Sequence, residues 1–153
     1  MALPKKKVKG NRELYKQIDF DIPVLAARAC QEIGCRKFVI VTAVGANSKS
    51  DNFYLKLKGH VEDAISLEPF ASIHFFQPAL LLGERKERRM MEKLSIKLSK
   101  FIAPILFGGA RKYRPVEAAH VAAKMIEVAK SATIGTYRYT YDQLVPAKQP
   151  KAG

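Results

Sequence analysis

The sequence is poor in the residues that build metal centres, disulfide frameworks and membrane spans. It contains two cysteines and three histidines in 153 residues. Cys30 and Cys35 are too few for a disulfide framework and do not form a C-x-x-C redox pair, so we interpret them as small buried hydrophobic residues. The histidines are scattered without paired ligand spacing, and we predict no metal site. The longest apolar stretches fall far short of the roughly 20 residues that span a bilayer, so no membrane span is expected.

Acidic residues are scarce relative to basic ones. The chain has 27 Lys and Arg against 14 Asp and Glu, a formal charge of +13. An excess of this size attracts polyanions. The cations cluster in residues 5–16 and 85–100, and neither cluster is accompanied by a zinc-finger, RNA-recognition or helix-turn-helix signature. We therefore interpret them as solvated faces or as a surface that attracts dinucleotide phosphates, and we expect no nucleic-acid partner.

The composition is that of one globular domain, with 48% hydrophobic residues. We predict a basic N-terminal segment at residues 1–15, a partial Rossmann-like domain at 16–145 and a disordered tail at 146–153. The N-terminal lysines are not followed by an apolar segment of a secretory signal. With two cysteines only, a reducing, cytoplasmic location is expected.

The hydrophobic pattern alternates between helix and strand. Helices are predicted at residues 19–33, 51–67, 91–102 and 116–132, and strands at 37–42, 72–76 and 136–140. In the first helix, Asp21 is a possible cap, and a stripe of apolar residues follows at helical spacing: Ile22, Leu25, Ala26, Ala29 and Ile33. The strand at 37–42 is almost wholly apolar, as a central parallel strand is. The sequence therefore predicts an α/β fold with a parallel sheet.

Tyr54 and Lys58 are the candidate reactive pair. They are four residues apart on the predicted second helix, so they share a face. An ammonium beside a phenol favours the phenolate and lowers a pKa that is normally about 10. A phenol tuned in this way could exchange a proton with a carbonyl or an alcohol. Read without that role, Tyr54 is a surface aromatic residue and Lys58 one more cation on a basic helix.

Five segments resemble, in order and spacing, the atypical short-chain dehydrogenase/reductases, and among them the Tat-interacting-protein-like NAD(P)H-binding oxidoreductases. The segments are Lys16-Gln-Ile-Asp-Phe-Asp21, Ala26-Ala-Arg-Ala29, Phe38-Val-Ile-Val-Thr-Ala-Val-Gly-Ala46, Asn52-Phe-Tyr-Leu-Lys-Leu-Lys-Gly59 and Gln77-Pro-Ala-Leu-Leu-Leu-Gly-Glu-Arg85. The resemblance covers residues 16–144. It implies a Rossmann-type sheet and an NADP or NAD cofactor.

The resemblance also implies roles for particular residues. Tyr54 would be the acid/base, and Lys58 would bind the nicotinamide ribose and support catalysis. The backbone at Pro78, Ala79 and Leu80 would lie near the nicotinamide carboxamide. Where the family carries an active serine, this chain has Thr42-Ala43, so only the Thr42 hydroxyl could substitute.

The glycine-rich turn that holds the pyrophosphate in Rossmann folds has no counterpart in the sequence. We interpret the chain as a truncated form that lacks its first βαβ unit. Its exposed sheet edge would then be covered by a completing chain or by a second copy.

Two hypotheses about function remain open. The first is an NAD(P)H-dependent oxidoreductase of the short-chain type that acts on an unidentified carbonyl or alcohol through Tyr54, Lys58 and Thr42. The second is a non-catalytic dinucleotide-binding-like module, or a protein-interaction module with basic surfaces. In the second, Ala43 and the missing glycine turn mark the loss of catalysis.

Overall fold

A computed structural model of the chain describes residues 12–82 and 108–145. The strands in this range are β1 (Lys37–Val41), β2 (Ser72–Phe76), β3 (Leu81–Leu82), β4 (Val116–Glu117) and β5 (Gly135–Tyr139). Three of them form a parallel sheet in the order β1-β2-β5, and β3 and β4 form a separate parallel pair. With helices on its flanks, this sheet confirms the predicted α/β class and Rossmann-like architecture.

Within the described ranges, the helices alternate with the strands. They are α1 (Arg12–Lys16), a π-helical segment (Gln17–Asp21), α2 (Ile22–Glu32), α3 (Phe53–Ser66), a 3-10 helix (Gly108–Tyr113), α4 (Ala118–Lys130) and α5 (Tyr141–Leu144). The predicted helix at 91–102 lies outside the described residues, and so do segments 1–11 and 146–153. No helix in the described ranges is long and apolar enough to cross a membrane.

The chain divides into two compact units. The first holds the described residues 12–38, 45–73 and 134–136, and the second holds 39–44, 74–82, 108–133 and 137–145. The three segments predicted above stay predictions, although α1 runs across the expected boundary at residue 15.

In the first unit, α2 and α3 pack against each other. The buried apolar residues of this pair are Val24 and Ala27 of α2 and Leu57, Val61 and Ile65 of α3. The α3 residues were predicted to lie on the buried face of that helix, whereas Phe53, predicted with them, is 40% exposed. The Phe38 ring stacks on Phe70 with centroids 5.3 Å apart, so the beginning of β1 is fixed to the residues that precede β2.

The second unit has its own core. It is formed by one residue of β2, one of β4, two of α4 and one of α5: Phe76, Val116, Val121, Val128 and Leu144. Val39 and Val41 of β1 pack against it. Ala122, predicted to face inward on α4, is exposed, because Val121 and Val128 already occupy the inner face.

The apolar stripe predicted on α2 is exposed and does not face the core. Ile22, Leu25 and Ile33 are 59%, 61% and 80% exposed, and Ala26 and Ala29 are exposed as well. Helical spacing identifies an apolar face but does not say which face the rest of the fold covers. Here the narrower face with Val24 and Ala27 is the covered one.

Two helix starts also differ from the sequence prediction. Asn52, and not Asp51, caps α3, because the Asn52 side chain accepts hydrogen bonds from the backbone N–H groups of Tyr54 and Leu55. Asp21 makes no capping bond, since it has helical dihedral angles and the helix continues into it from the π-helical segment. Gly34 ends α2 as predicted, with a φ of +83° that favours glycine.

Candidate functional site

Tyr54 and Lys58 lie on one face of α3, as their spacing predicts. The Asn52 cap fixes the beginning of the helix, which places Tyr54 in the first turn and Lys58 in the second. The Lys58 ammonium lies 5.7 Å from the centre of the Tyr54 ring, within the range of a cation–π contact. The two side chains are therefore neighbours.

The Lys58 ammonium has a different principal partner from the one expected. It donates a hydrogen bond to Asp19 Oδ1 over 2.6 Å. The Lys58 side chain is only 12% exposed, so this charge-assisted contact is largely shielded from water. Asp19 lies in the π-helical segment, a rare geometry often found at functional positions. No local sequence pattern links Asp19 to a lysine 39 residues away, so Asp19 could not be predicted as the partner of Lys58.

The pKa of Tyr54 is shifted in the direction opposite to the predicted one. Burial raises the pKa of the Tyr54 phenol, and the Asp19 carboxylate and Tyr15 raise it further. The prediction that the pKa of Tyr54 is lowered is wrong, because burial, and after it the Asp19 carboxylate, outweighs the nearby Lys58 ammonium. Tyr54 consequently stays protonated at neutral pH.

Aromatic rings surround this pair in the first unit. The Tyr15 ring meets Phe53 and Tyr54 edge to face, with centroids 6.1 and 6.5 Å apart. The Arg12 guanidinium lies 5.4 Å from the centre of the Phe53 ring. Burial, and then Asp19, also raise the pKa of Tyr15. The cluster is thus a packed aromatic surface around one ion pair.

The other predicted site residues belong to the second unit. The Thr42 N–H donates to the Phe76 carbonyl over 2.7 Å, and the Val44 N–H donates to the Pro78 carbonyl over 3.3 Å. Thr42 and Pro78 are buried, whereas Ala79 and Leu80 are exposed. The structure therefore joins the loop after β1 to the loop after β2. Whether Tyr54, Lys58, Thr42, Pro78, Ala79 and Leu80 contact a ligand stays a prediction.

A buried histidine is the polar centre of the second unit. His74 Nδ1 lies 2.8 Å from the Tyr139 hydroxyl, and its Nε2 lies 3.4 Å from the Thr133 hydroxyl. The ring also stacks on Tyr137 and Tyr139. Burial raises the pKa of Tyr139, which keeps the phenol protonated. These contacts join β2 to β5 and give His74 a structural role.

The remaining sequence predictions concern a metal site, the two cysteines and the two basic clusters. Among the described residues, no group of three or more His, Cys, Asp and Glu side chains could hold a metal ion. Cys30 and Cys35 are free thiols and are half-buried. Most of the residues in the two basic clusters lie outside the described ranges.

The sequence is similar to fungal proteins named FMP52, mitochondrial. The protein of Lodderomyces elongisporus is 34% identical over 84% of this chain and 54% of its own length. FMP52-1 of Scheffersomyces stipitis is 32% identical over 80% and 54%, and FMP52 of Candida albicans is 41% identical over 51% and 34%. The chain spans about half the length of the first two relatives. No protein-family model matches it.

These relatives correct three predictions. The assignment to the Tat-interacting-protein-like short-chain dehydrogenase/reductases is wrong, because the matched relatives are named FMP52. The predicted NAD(P)H-dependent oxidoreductase function is also wrong, because that prediction depended on the family assignment. The cytoplasmic location is also wrong, because the names of the relatives are mitochondrial. A low cysteine count indicates a reducing compartment but does not distinguish the cytosol from an organelle.

Proposed function

We propose that this chain is a non-catalytic nucleotide-binding module of a mitochondrial protein. The ligand is a dinucleotide of the NAD or NADP class, and its flat ring binds at the carboxyl ends of the parallel strands. The location rests on the names of the relatives. The ligand class rests on the geometry of the second unit.

One observation carries the proposal: the carboxyl ends of β1, β2 and β5 are joined into a continuous backbone edge. Thr42 N–H donates to the Phe76 carbonyl, and the Gln77 N–H donates to the Tyr139 carbonyl over 2.8 Å. In open parallel sheets, ligands bind in the crevice outside the carboxyl ends of the strands. Because the edge is fixed by hydrogen bonds, a ligand there would meet a preformed surface.

The residues that follow this edge fit an aromatic ring. Ala79 and Leu80 come directly after buried Pro78 and are exposed, and Leu81 is 40% exposed. Small and aliphatic side chains at the mouth of a parallel sheet leave room for a flat ring and offer it apolar contact. The nicotinamide or the adenine of a dinucleotide has this shape and chemistry.

The described residues fit the pyrophosphate less well. A pyrophosphate needs free N–H groups at the beginning of a helix. At α3 the first donors are already bound by the Asn52 side chain. At α4 the preceding residue is Glu117, whose carboxylate would repel a phosphate. The proposal therefore assigns to this chain the part of the site that receives the ring.

The absence of catalysis is supported by the Tyr54 cluster. A phenol with a raised pKa is a weaker proton donor and is too rarely ionised at neutral pH to accept a proton, and the ammonium that would activate it is bound to Asp19. The Thr42 backbone N–H is engaged in the sheet, and Ala43 beside it has no hydroxyl. The chain thus has the architecture of a ligand site without a tuned acid or base.

A titration of the folded chain with NADH and with NADPH, followed by nicotinamide fluorescence, tests the proposal. We expect saturable binding that Ala79→Arg weakens by at least about tenfold, equivalent to about 1.4 kcal/mol. Ala132→Arg is the matched control, since Ala132 is exposed in the same unit and the charge change is identical. Equal affinity in both variants, or no binding by the folded chain, would overturn the proposal and favour a protein-interaction module.

A further inference from the structure

The two cysteines meet where α2 ends. Gly34 has a φ of +83°, and its N–H donates to the Gln31 carbonyl over 2.9 Å. The Cys35 N–H donates to the Cys30 carbonyl, also over 2.9 Å. These two bonds form a Schellman motif, in which the side chains of the first and sixth residues are commonly in contact. In this chain the first residue is Cys30 and the sixth is Cys35.

The backbone hydrogen bond limits the separation of the two cysteines. It links their Cα atoms through the path Cα–C=O···H–N–Cα, which spans at most about 6.8 Å with standard bond lengths and the N···O distance of 2.9 Å. Disulfides join Cα atoms that are about 4.4–6.8 Å apart. The Cα separation of Cys30 and Cys35 is therefore short enough for a disulfide.

The two thiols also interact with each other. Burial raises the pKa of the Cys30 thiol, and Cys35 raises this pKa further through its charge and through a side-chain hydrogen bond. A hydrogen bond between the side chains requires the two sulfur atoms to be neighbours. Both residues are free thiols, so the structure shows the reduced form of the pair.

The pair is accessible from solvent. Cys30 and Cys35 are half-buried, and the residues that separate them in the turn are exposed: Glu32, Ile33 and Gly34. The exposed fraction of Ile33 is 80%. A small molecule can therefore reach both sulfur atoms without unfolding α2.

We propose that Cys30 and Cys35 form a redox-active dithiol, which a low-molecular-weight disulfide of the glutathione class oxidises to an intrachain disulfide. One cysteine thiolate attacks the external disulfide, which gives a mixed disulfide and releases the first glutathione. The other cysteine attacks the protein sulfur of the mixed disulfide, which forms the bond between Cys30 and Cys35 and releases the second glutathione. The protein loses two electrons and two protons, and the two glutathione molecules gain them.

The disulfide spans the connection from α2 to β1. Cys35 lies two residues before β1, and the Arg36 carbonyl accepts a hydrogen bond from the Ser72 N–H at the beginning of β2 over 3.1 Å. In the reduced chain this turn depends on the left-handed conformation of Gly34. Oxidation adds a covalent link across the same turn. All of these residues belong to the first unit, so the proposal is independent of nucleotide binding.

Equilibration with glutathione tests the proposal. The folded chain is incubated at increasing ratios of oxidised to reduced glutathione, quenched with an excess of a maleimide and digested with trypsin, which cleaves after Arg28 and Arg36. Both cysteines then lie in one peptide, residues 29–36. We expect this peptide to lose two hydrogen atoms and to escape alkylation as the ratio increases, while the intact mass stays that of a single chain.

The synthetic peptide 29–36 is the matched control, because it carries the same two cysteines without the folded turn. The folded chain should form the disulfide with an equilibrium constant at least about tenfold larger than that of the peptide, which is equivalent to about 30 mV. Cys30→Ser should stop at a mixed disulfide on Cys35, and Cys35→Ser should stop at one on Cys30. Circular dichroism checks that each variant remains folded.

Four outcomes contradict the proposal. Two free thiols at every ratio, glutathione retained on both cysteines of the parent chain, or disulfides between chains would each overturn it. Equal equilibrium constants for the folded chain and the peptide would also overturn it, because the turn would then contribute nothing. Cys30 and Cys35 would in each case be only the small apolar contact that closes the Schellman motif.

Discussion

Gly59 lies where the loop after β1 crosses α3, and replacing it tests how closely the two are packed. A Cβ atom at residue 59 would lie 2.1 Å from Ser48 N, 2.2 Å from Asn47 C and 2.7 Å from Asn47 Cα. All three atoms are backbone, so no side chain can rotate away. Gly59→Ala therefore requires the loop to move by more than 1 Å, because ordinary contact begins at 3.4 Å.

The expected cost follows from three contributions. Overpacking of a close contact costs about 1–3 kcal/mol. Displacing the loop also breaks the 3.1 Å bond from Asn47 N–H to the Leu55 carbonyl, worth about 1 kcal/mol. Alanine recovers about 1 kcal/mol through its higher helix propensity. We therefore expect Gly59→Ala to lower the free energy of unfolding by about 1–3 kcal/mol.

Urea denaturation followed by circular dichroism measures this, since the chain has no tryptophan. A loss of this size corresponds to a melting temperature lower by about 2–12 °C. Gly109→Ala is the control, because a Cβ at Gly109 would meet nothing within 4 Å. If Gly59→Ala is as stable as the parent chain, the loop is not packed against α3 and the reasoning fails.

Three further predictions concern α3 and its surroundings. Asn52→Ala should lower the free energy of unfolding by about 1 kcal/mol in urea denaturation, because the cap supplies two hydrogen bonds; an unchanged value would contradict its role. Asp19→Asn should lower the pKa of Tyr54 in a ¹³C-tyrosine titration, because it removes a carboxylate that raises this pKa. It should also lower the free energy of unfolding by about 1–3 kcal/mol, since Lys58 loses its carboxylate partner. As a control, Asp142→Asn, which breaks an exposed ion pair, should lower it by less than about 1 kcal/mol. Folding raises the pKa of Tyr54 above 10.0, so the protonated phenol contributes fully to stability below that pH, and this contribution is lost as the pH rises through the pKa of the folded state. Tyr54→Phe should therefore reduce the loss of stability at alkaline pH.

The secondary structure could be predicted well from the sequence where one strong pattern decided it. β2 was predicted at 72–76, and β1 was predicted within one residue, because both are short apolar runs with clear boundaries. Gly34 was identified as the end of α2 from glycine's tolerance of positive φ. Asn52 and Asp51 are both good capping residues, so composition alone could not choose between them.

The apolar stripe of α2 shows the limit of periodicity. The sequence contains two apolar faces on this helix, and the wider one is exposed. Periodicity reports that a face is apolar, whereas burial depends on which other elements are present to cover it. In this chain α3 packs against α2, whose narrower face is buried, whereas the wider face is exposed.

The candidate site shows a different limit. The four-residue spacing correctly placed Lys58 beside Tyr54, because that relation is local to one helix. The direction of the Tyr54 pKa shift depends on burial and then on Asp19, and both are produced only by tertiary packing. A local motif therefore predicts proximity, but the protonation state is determined by every charge that folding brings to the pair. For this chain, burial together with that additional charge changes the interpretation of Tyr54 from an activated acid/base to a protonated, partly buried phenol.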